Sequence, residues 1–449
     1  ARDRAVKKFN LTEDDLPYFR TLHSLAFRRL GIKKENVMQR RHYQDFGKRV
    51  KEEINYAVYE NDHNGIFTSD SEYLRIVNLA ILKGITAEQQ YNLQEHNQDL
   101  ELDKLKIISN ELQRYKKEHN LIDFNDMILE FTKSDVSVPK FEVVFIDEAQ
   151  DLSRMQWDMA KAIWQKTNDS FIAGDDDQAI FRWAGADVDS FIAQEGQMLP
   201  LQQSYRIPAK VHGLAMGIIN KIKTRINKSW NPKIHQGSLS KYDDFEDIDM
   251  SSGEWLVLAR TKYMLDKLEP TLYENGYYYN NKFKKQKEHT LHMAALDWEN
   301  ARKGAPLSYD QVQRVYGYMN VDKNKLKSMT KDGMYDIATL KKDYNLKTDA
   351  VWFEAFDAAP RREVNYLKQM RRKGEKLNEA PRITLSTIHG AKGGEAENVV
   401  LLTDLSFNTM RSYEKNPDDE NRLFYVGATR TKEHLHIIRP QQDNKGYNL

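Results

Sequence analysis

Six short apolar runs, each closing on polar or glycine-bearing residues, constrain this chain more than any other feature. They are FEVVFIDE (141–148), SFIAGD (170–175), WLVLAR (255–260), ITLSTIHG (383–390), NVVLLTD (398–404) and HLHIIRP (434–440). Each is short and made largely of β-branched or apolar residues. Runs of this kind read as strands covered on both faces, as in parallel sheets. The expected fold is therefore α/β, with working loops outside the carboxyl ends of the strands.

The runs fall into two groups, one at 140–200 and one at 255–260 plus 383–440. Charged, helical sequence lies between them. In ELDKLKIISNELQRYKKEH (101–119), Leu102, Leu105, Ile108, Leu112 and Tyr115 recur three or four apart, which is one face of an amphipathic helix. Asp123 is placed to cap the next helix, DFNDMILEF. We expect a first α/β domain from 1–32 and 120–198, interrupted by a helical insertion at 33–119. A second comprises 199–280 and 381–449, interrupted by a reduced accessory insertion at 281–380. KYDDFEDIDMSSGE (241–254) reads as an acidic surface loop, and the opening ARDRAVKKFN reads as a helix entered midway.

Composition removes several function classes. With no cysteine among 449 residues, disulfides, thiolate zinc sites and iron–sulfur clusters are excluded, and a reducing compartment is expected. The histidines show no H-E-x-x-H spacing. No apolar run approaches the roughly 20 residues of a membrane span. The formal net charge is only +1, so any nucleic-acid site must arise from local clusters.

FEVVFIDEAQD carries the strongest chemical signal. An apolar strand ending in Asp147-Glu148 sets two carboxylates at a sheet edge. Asp147 suits Mg²⁺, held directly or through water, and Glu148 suits orienting or deprotonating an attacking water. GDDDQAIFRWAG (174–185) follows the next strand and would lie beside that loop. Gln178 can both donate and accept, so it can read a γ-phosphate or the attacking water. Phe181 and Trp183 offer flat faces for stacking on bases. A bland reading, rings in a core and acids in solvent, competes for each motif taken alone.

Weaker signals accompany these. LQQSYRIP (201–208) carries Arg206, which suits a phosphate, and Tyr205, which can stack on a purine. ITLSTIHGAKGGEAENVVLL (383–402) is a strand, a turn with Gly390, Lys392, Gly393 and Gly394, then a strand. Those glycines would let the backbone approach a ligand. ENRLFYVGATRTKEHLHII (420–438) supplies Arg422 and Arg430. YYYNNKFKKQK (277–287), RREVNYLKQMRRKGEK (361–376) and ARDRAVKK are basic stretches that either meet phosphates or form solvated faces.

Taken together and in order, these motifs resemble the superfamily 1 helicases of the UvrD/Rep/PcrA family. FIDEAQD resembles the Walker B motif, GDDDQAIFRWAGAD motif III, LQQSYRIP motif IV, LSTIHGAKGGEAENVV motif V and RLFYVGATR motif VI. TLHSLAFRRLG (21–31) resembles motif Ib. The resemblance implies two RecA-like, P-loop NTPase-type motor domains with parallel sheets, flanking an ATP-binding cleft. It implies ATP and Mg²⁺ as cofactors, single-stranded DNA and duplex junctions as partners, 3′-to-5′ translocation and no membrane. Asp147 and Glu148 would handle Mg²⁺ and water. Gln178 and Arg206 would touch the γ-phosphate, with Arg430 as the arginine finger. Tyr205 would stack on adenine and Glu395 would lie near the sugar. Phe181 and Trp183 would stack on DNA bases, while Thr21, His23, Thr387 and His389 would line the DNA track.

Three positions depart from the family pattern: Ala184 stands where Arg is usual, Gly394 where Leu is usual, and Phe181 where Tyr is frequent. The sequence also contains no G-x-x-x-x-G-K-[ST] phosphate loop. The expectation is a helicase chain without its Walker A segment, inactive by itself and cytoplasmic in a bacterium or a phage-infected host. The alternative is a catalytically inactive module that binds single-stranded nucleic acid, or half of a split helicase.

Overall fold

Runs 141–148 and 170–175 do become neighbouring parallel strands, but they are not buried. The computed structural model describes residues 2–12, 14–60, 66–93, 100–134, 138–284, 288–376 and 379–449. In chain order its strands are β1 (Ala57–Glu60), β2 (Ile66–Ser69), β3 (Val143–Ile146), β4 (Asp169–Ile172), β5 (Ser238–Tyr242), β6 (Trp255–Ala259), β7 (Tyr279–Asn281), β8 (Leu307–Ser308), β9 (Met334–Tyr335), β10 (Ile383–Thr387), β11 (Ala396–Leu402) and β12 (Thr431–Ile438). The chain folds as two compact units. Unit one is Ala1–Pro200, Lys221–Lys228 and Asp418–Leu423; unit two is Leu201–Asn220, Ser229–Pro417 and Phe424–Leu449.

In unit one, β3 and β4 pair in parallel, Val143 opposite Asp169 through Ile146 opposite Ile172. Alternation sends Val144 toward a core formed by Met127, Ile128, Phe131, Met155, Met159 and Ile163. The opposite face carries Phe145, 75% exposed, stacked at 4.9 Å on Phe171, 53% exposed. The expectation of strands covered on both faces therefore fails here: the pairing is parallel, yet one apolar face is open among the described residues.

The remainder of unit one contains the expected amphipathic helix, Leu102–Glu118, with Leu105, Ile108, Leu112 and Tyr115 buried. Those side chains meet Tyr43, Phe46, Tyr73 and Leu74 in one core. An antiparallel hairpin, β1–β2, sits in the stretch expected to be helical. Asp123 caps Phe124–Lys133, its carboxylate accepting the Asp126 N–H at 2.9 Å. Lys116, 3% exposed, is stabilised at 2.7 Å from both Asp123 and Asp126. A buried ammonium of this kind requires paired carboxylates to offset its desolvation.

Unit two is organised by a six-stranded parallel sheet in the order β5-β12-β11-β6-β10-β7. Its centre is buried on both faces, as all five residues of β6 show. Trp255, Val257, Ile383, Leu385, Val400 and Leu402 pack on one side with Phe245, Ile248 and Met250. Those last three correct the reading of 241–254 as a surface loop, since its apolar residues are core and its first two residues close β5. The edge strands SLSKY and YNN were not anticipated, because polar edges lack the apolar run that marks central strands.

Residues 288–376 build a second core in unit two around Trp298, Tyr316, Trp352, Phe356 and Leu367. The basic helix Arg361–Arg372 buries Val364, Tyr366, Leu367 and Met370. Lys368 lies 3.8 Å from the centre of the Phe353 ring, and Arg362 lies 4.6 Å from that of Tyr273. In the 277–287 stretch Tyr277 and Tyr278 are buried, and Lys284 pairs with Asp266 and Glu269. Residues 285–287 lie outside the described residues.

Candidate functional site

The unit-one site grows from the turn that ends β3. Glu148 adopts φ +52°, ψ +37°, a left-handed conformation that costs a non-glycine residue on the order of 1 kcal/mol or more. Asp147 and Glu148 are both exposed, and one Asp147 oxygen accepts the Glu148 N–H at 2.9 Å. The turn is held by Ala149 N–H donating to the Ala173 carbonyl at 3.0 Å.

A hydrogen-bonded chain connects this turn to the loop after β4. Gln150, 1% exposed, donates its amide to a Glu148 oxygen at 2.6 Å. Its carbonyl accepts the Asp175 N–H at 2.9 Å. The Asp175 carboxylate then accepts the Gln178 side-chain amide at 2.7 Å. Glu148 and Gln178 are thus separated by two intermediary side chains, both fixed. Gly174 is required by this packing: a Cβ there would lie 2.6 Å from Gln150 Oε1 and 2.9 Å from the Phe191 ring.

Beyond Gln178 the two aromatic rings diverge. Trp183 is 57% exposed, whereas Phe181 is 7% exposed. Phe181 instead lines a small cavity with His23, Asn125, Asp151, Ser153 and Gln156. The expectation that both rings face bases is not met by Phe181, whose ring serves the unit's interior, while the Trp183 ring stays exposed. Thr21 caps Leu22–Arg29, its hydroxyl accepting the Ser24 N–H at 3.2 Å. His23 is half-buried against Phe124 at 5.3 Å, and burial pushes its imidazole down to about 4.

In unit two, Tyr205 is 88% exposed and Arg206 is half-buried beside it. Arg206 pairs with Glu395 at 2.9 Å and donates to the Thr429 carbonyl at 3.3 Å. Arg430 does not project: it is 2% exposed and donates to the Val426 carbonyl at 2.9 Å, the Gly394 carbonyl at 3.4 Å and Thr429 Oγ1 at 3.2 Å. An outward-reaching finger is therefore not its conformation here. Thr387, at the end of β10, accepts the Gly390 N–H at 3.1 Å, and His389 opens the following turn. Gly393 adopts φ +79°, while Gly390 is constrained by Ser386 Oγ, 2.8 Å from where a Cβ would lie.

The family model for the UvrD/REP helicase N-terminal domain matches residues 1–198, and that for the UvrD-like helicase C-terminal domain matches 382–438. The chain belongs to the UvrD/Rep/PcrA helicase family. RecA-like motor domains go with this family, in keeping with the mixed α/β architecture and the six-stranded parallel sheet. The chain is 23% identical to the ATP-dependent DNA helicase PcrA of Bacillus subtilis, over 74% of this chain and 60% of that protein. It is 24% identical to the ATP-dependent DNA helicase srs2 of Schizosaccharomyces pombe, over 80% of this chain and 53% of that one. A shorter match, 27% over 29% of this chain, is to DNA helicase II of Haemophilus influenzae, of which it covers 20%. The chain thus spans between half and two thirds of the two longer-matched relatives.

Against the family's chemistry, the donor set at Asp147 fits a hydrated divalent cation. Its carboxylate is exposed at a strand end and no lysine or arginine among the described residues pairs with it. The Asp175–Asp176–Asp177 cluster, whose oxygens all lie within 4.8 Å of one another, does not fit one. The Lys228 ammonium already sits among the three carboxylates. Sequence reasoning missed Gln150, Arg225 and Lys228. Gln150 was visible only as the residue two after Glu148. The basic pair has the spacing R-x-x-K, but nothing in the sequence ties it to a motif about 50 residues earlier.

Proposed function

We propose that this chain is the motor portion of an ATP-dependent DNA helicase that translocates 3′-to-5′ on single-stranded DNA. The observation that carries the reading is the fixed path from Glu148 through Gln150 and Asp175 to Gln178. Such a path joins a candidate water-activating carboxylate to a candidate γ-phosphate sensor, with Trp183 exposed five residues further on. Asp147 would hold Mg²⁺, which supplies charge neutralisation at the phosphates. Glu148 would orient or deprotonate water.

Arg206 would meet a phosphate, Tyr205 would stack on adenine, and Glu395 would lie near the sugar. Arg430 would act as a finger only after exchanging its backbone acceptors for phosphate oxygens. Thr21, His23, Trp183, Thr387 and His389 are assigned to the strand's path. In this reading 1–32 with 120–198, and 199–280 with 381–449, are the motor domains; 33–119 and 281–380 are their insertions.

No G-x-x-x-x-G-K-[ST] sequence occurs in the chain, so the β- and γ-phosphates lack their usual amide-and-lysine cradle. That absence favours a second reading, a strand-binding module without hydrolysis, for the chain by itself. Both are tested by measuring ATP hydrolysis with and without oligo-dT, alongside a binding titration. We expect strand binding and no hydrolysis. DNA-stimulated hydrolysis would refute the inactive module and the need for that loop; absence of strand binding would refute both readings.

A further inference from the structure

The loop from Asp175 to Trp183 contains three adjacent carboxylates, two of them buried: Asp176 is 1% exposed and Asp177 0%. Desolvated carboxylates this close repel one another unless cations lie among them. The cations come from one short segment of the same unit. Arg225 grips Asp177 through two parallel bonds of 2.7 Å. Lys228 lies 3.0 Å from Asp175 and 2.9 Å from Asp177 and also contacts Asp176. The Ile226 N–H donates to the remaining Asp176 oxygen at 2.7 Å. Arg422 donates to the Asp176 carbonyl at 2.9 Å and to that of Thr224. Asp418 accepts the N–H groups of Lys223 at 3.1 Å and Thr224 at 3.2 Å, so the segment is itself anchored.

The consequence for the loop is specific. Asp175 shares its carboxylate between Lys228 and the Gln178 amide. Removing the ammonium leaves the triad under mutual repulsion that pulls Asp175 from Gln178, with the Asp177 N–H, at 3.2 Å, still donating to its carboxylate. The 3₁₀ turn Asp176–Gln178 leads directly into the turn Arg182–Ala184, which carries the exposed Trp183.

We propose that Lys228, seconded by Arg225, is a positioning residue for this loop, filling the acidic triad so that Gln178 and Trp183 are presented in fixed orientation. The DNA part of this inference rests on the strand-binding reading above; the positioning part does not.

The test uses the full chain, a fluorescein-labelled oligo-dT and hydrogen exchange of peptides covering 174–184. Lys228→Met should speed exchange in those peptides and weaken oligo-dT binding about tenfold, within the span of one lost stacking contact. Lys228→Arg should restore binding to within about twofold, because charge at that place is what is needed. Arg225→Lys keeps the charge but loses the paired bonds; it should loosen the loop partially, and it decides the matter should Lys228→Met fail to fold. In a Trp183→Ala background, Lys228→Met should cost less than about twofold further, the non-additivity expected when one residue acts through another. Full additivity would mean that Lys228 meets DNA directly and would overturn the proposal, as would unchanged exchange at 174–184. If Trp183→Ala binds oligo-dT like the parent while Lys228→Met still loosens the loop, the strand-binding reading fails and the positioning role stands.

Discussion

The two parallel sheets differ in how they are held. The β6–β10–β11 centre of unit two is covered on both faces. The β3–β4 pair of unit one leaves Phe145 and Phe171 open on one face, yet it is this pair that carries Asp147, Glu148 and Gln178. Rigidity at the candidate site therefore comes less from apolar burial than from polar links: Gln150 between two turns, and two basic side chains in an acidic triad. The lesson is that a loop can be held by hydrogen bonds and charge where its sheet is thin. Those bonds are more geometrically demanding than apolar contact, because a buried group left unpaired bears its full desolvation penalty.

The largest expected effect follows from that contrast. Leu401→Ala, in a strand where the side chain is fully buried, should cost about 3 kcal/mol in urea unfolding. Phe145→Ala, removing a larger side chain from the open face, should cost less than about 1 kcal/mol. Equal losses would break the comparison. Next, Gly174→Ala should cost about 1–3 kcal/mol by overpacking against Gln150 and Phe191, and it should also speed exchange at 174–184.

Matched caps sharpen the comparison further. Ser153 and Ser308 begin helices in the two units with the same capping box, accepting the N–H of Gln156 at 3.3 Å and of Gln311 at 3.4 Å. Alanine at either should cost about 1 kcal/mol, so local capping is equal where sheet burial is not. A further contrast is in acid. Burial pushes both His23 in unit one and His436 in unit two down to about 4. A depressed folded value means that the unfolded chain takes up protons first. Stability is then fully present above about 6.5 and is lost as pH falls toward 4. Replacing either histidine by Phe should flatten that limb of a stability–pH profile, and an unchanged slope would contradict the assignment.

The sequence made central strands legible because their signal is a run of apolar or β-branched residues: WLVLA pairs in parallel with ITLST on one side and with NVVLL on the other. It did not make SLSKY or YNN legible, since an edge strand is specified by its neighbour's hydrogen bonds rather than by its own side chains. It placed Phe181 and Trp183 together as stacking rings, for residue type carries no information on which ring faces inward. Arg225 and Lys228 were invisible for a related reason, as a cation's partner can lie at any distance along the chain.

The central claim is that this loop presents Trp183 to a single strand. The direct measurement is an anisotropy titration of labelled oligo-dT with the parent chain and Trp183→Ala, checked for equal folding by circular dichroism. The account predicts binding by the parent and about ten- to hundredfold weaker binding by the variant, the loss of one base-stacking platform. Equal affinity in the two chains would contradict it.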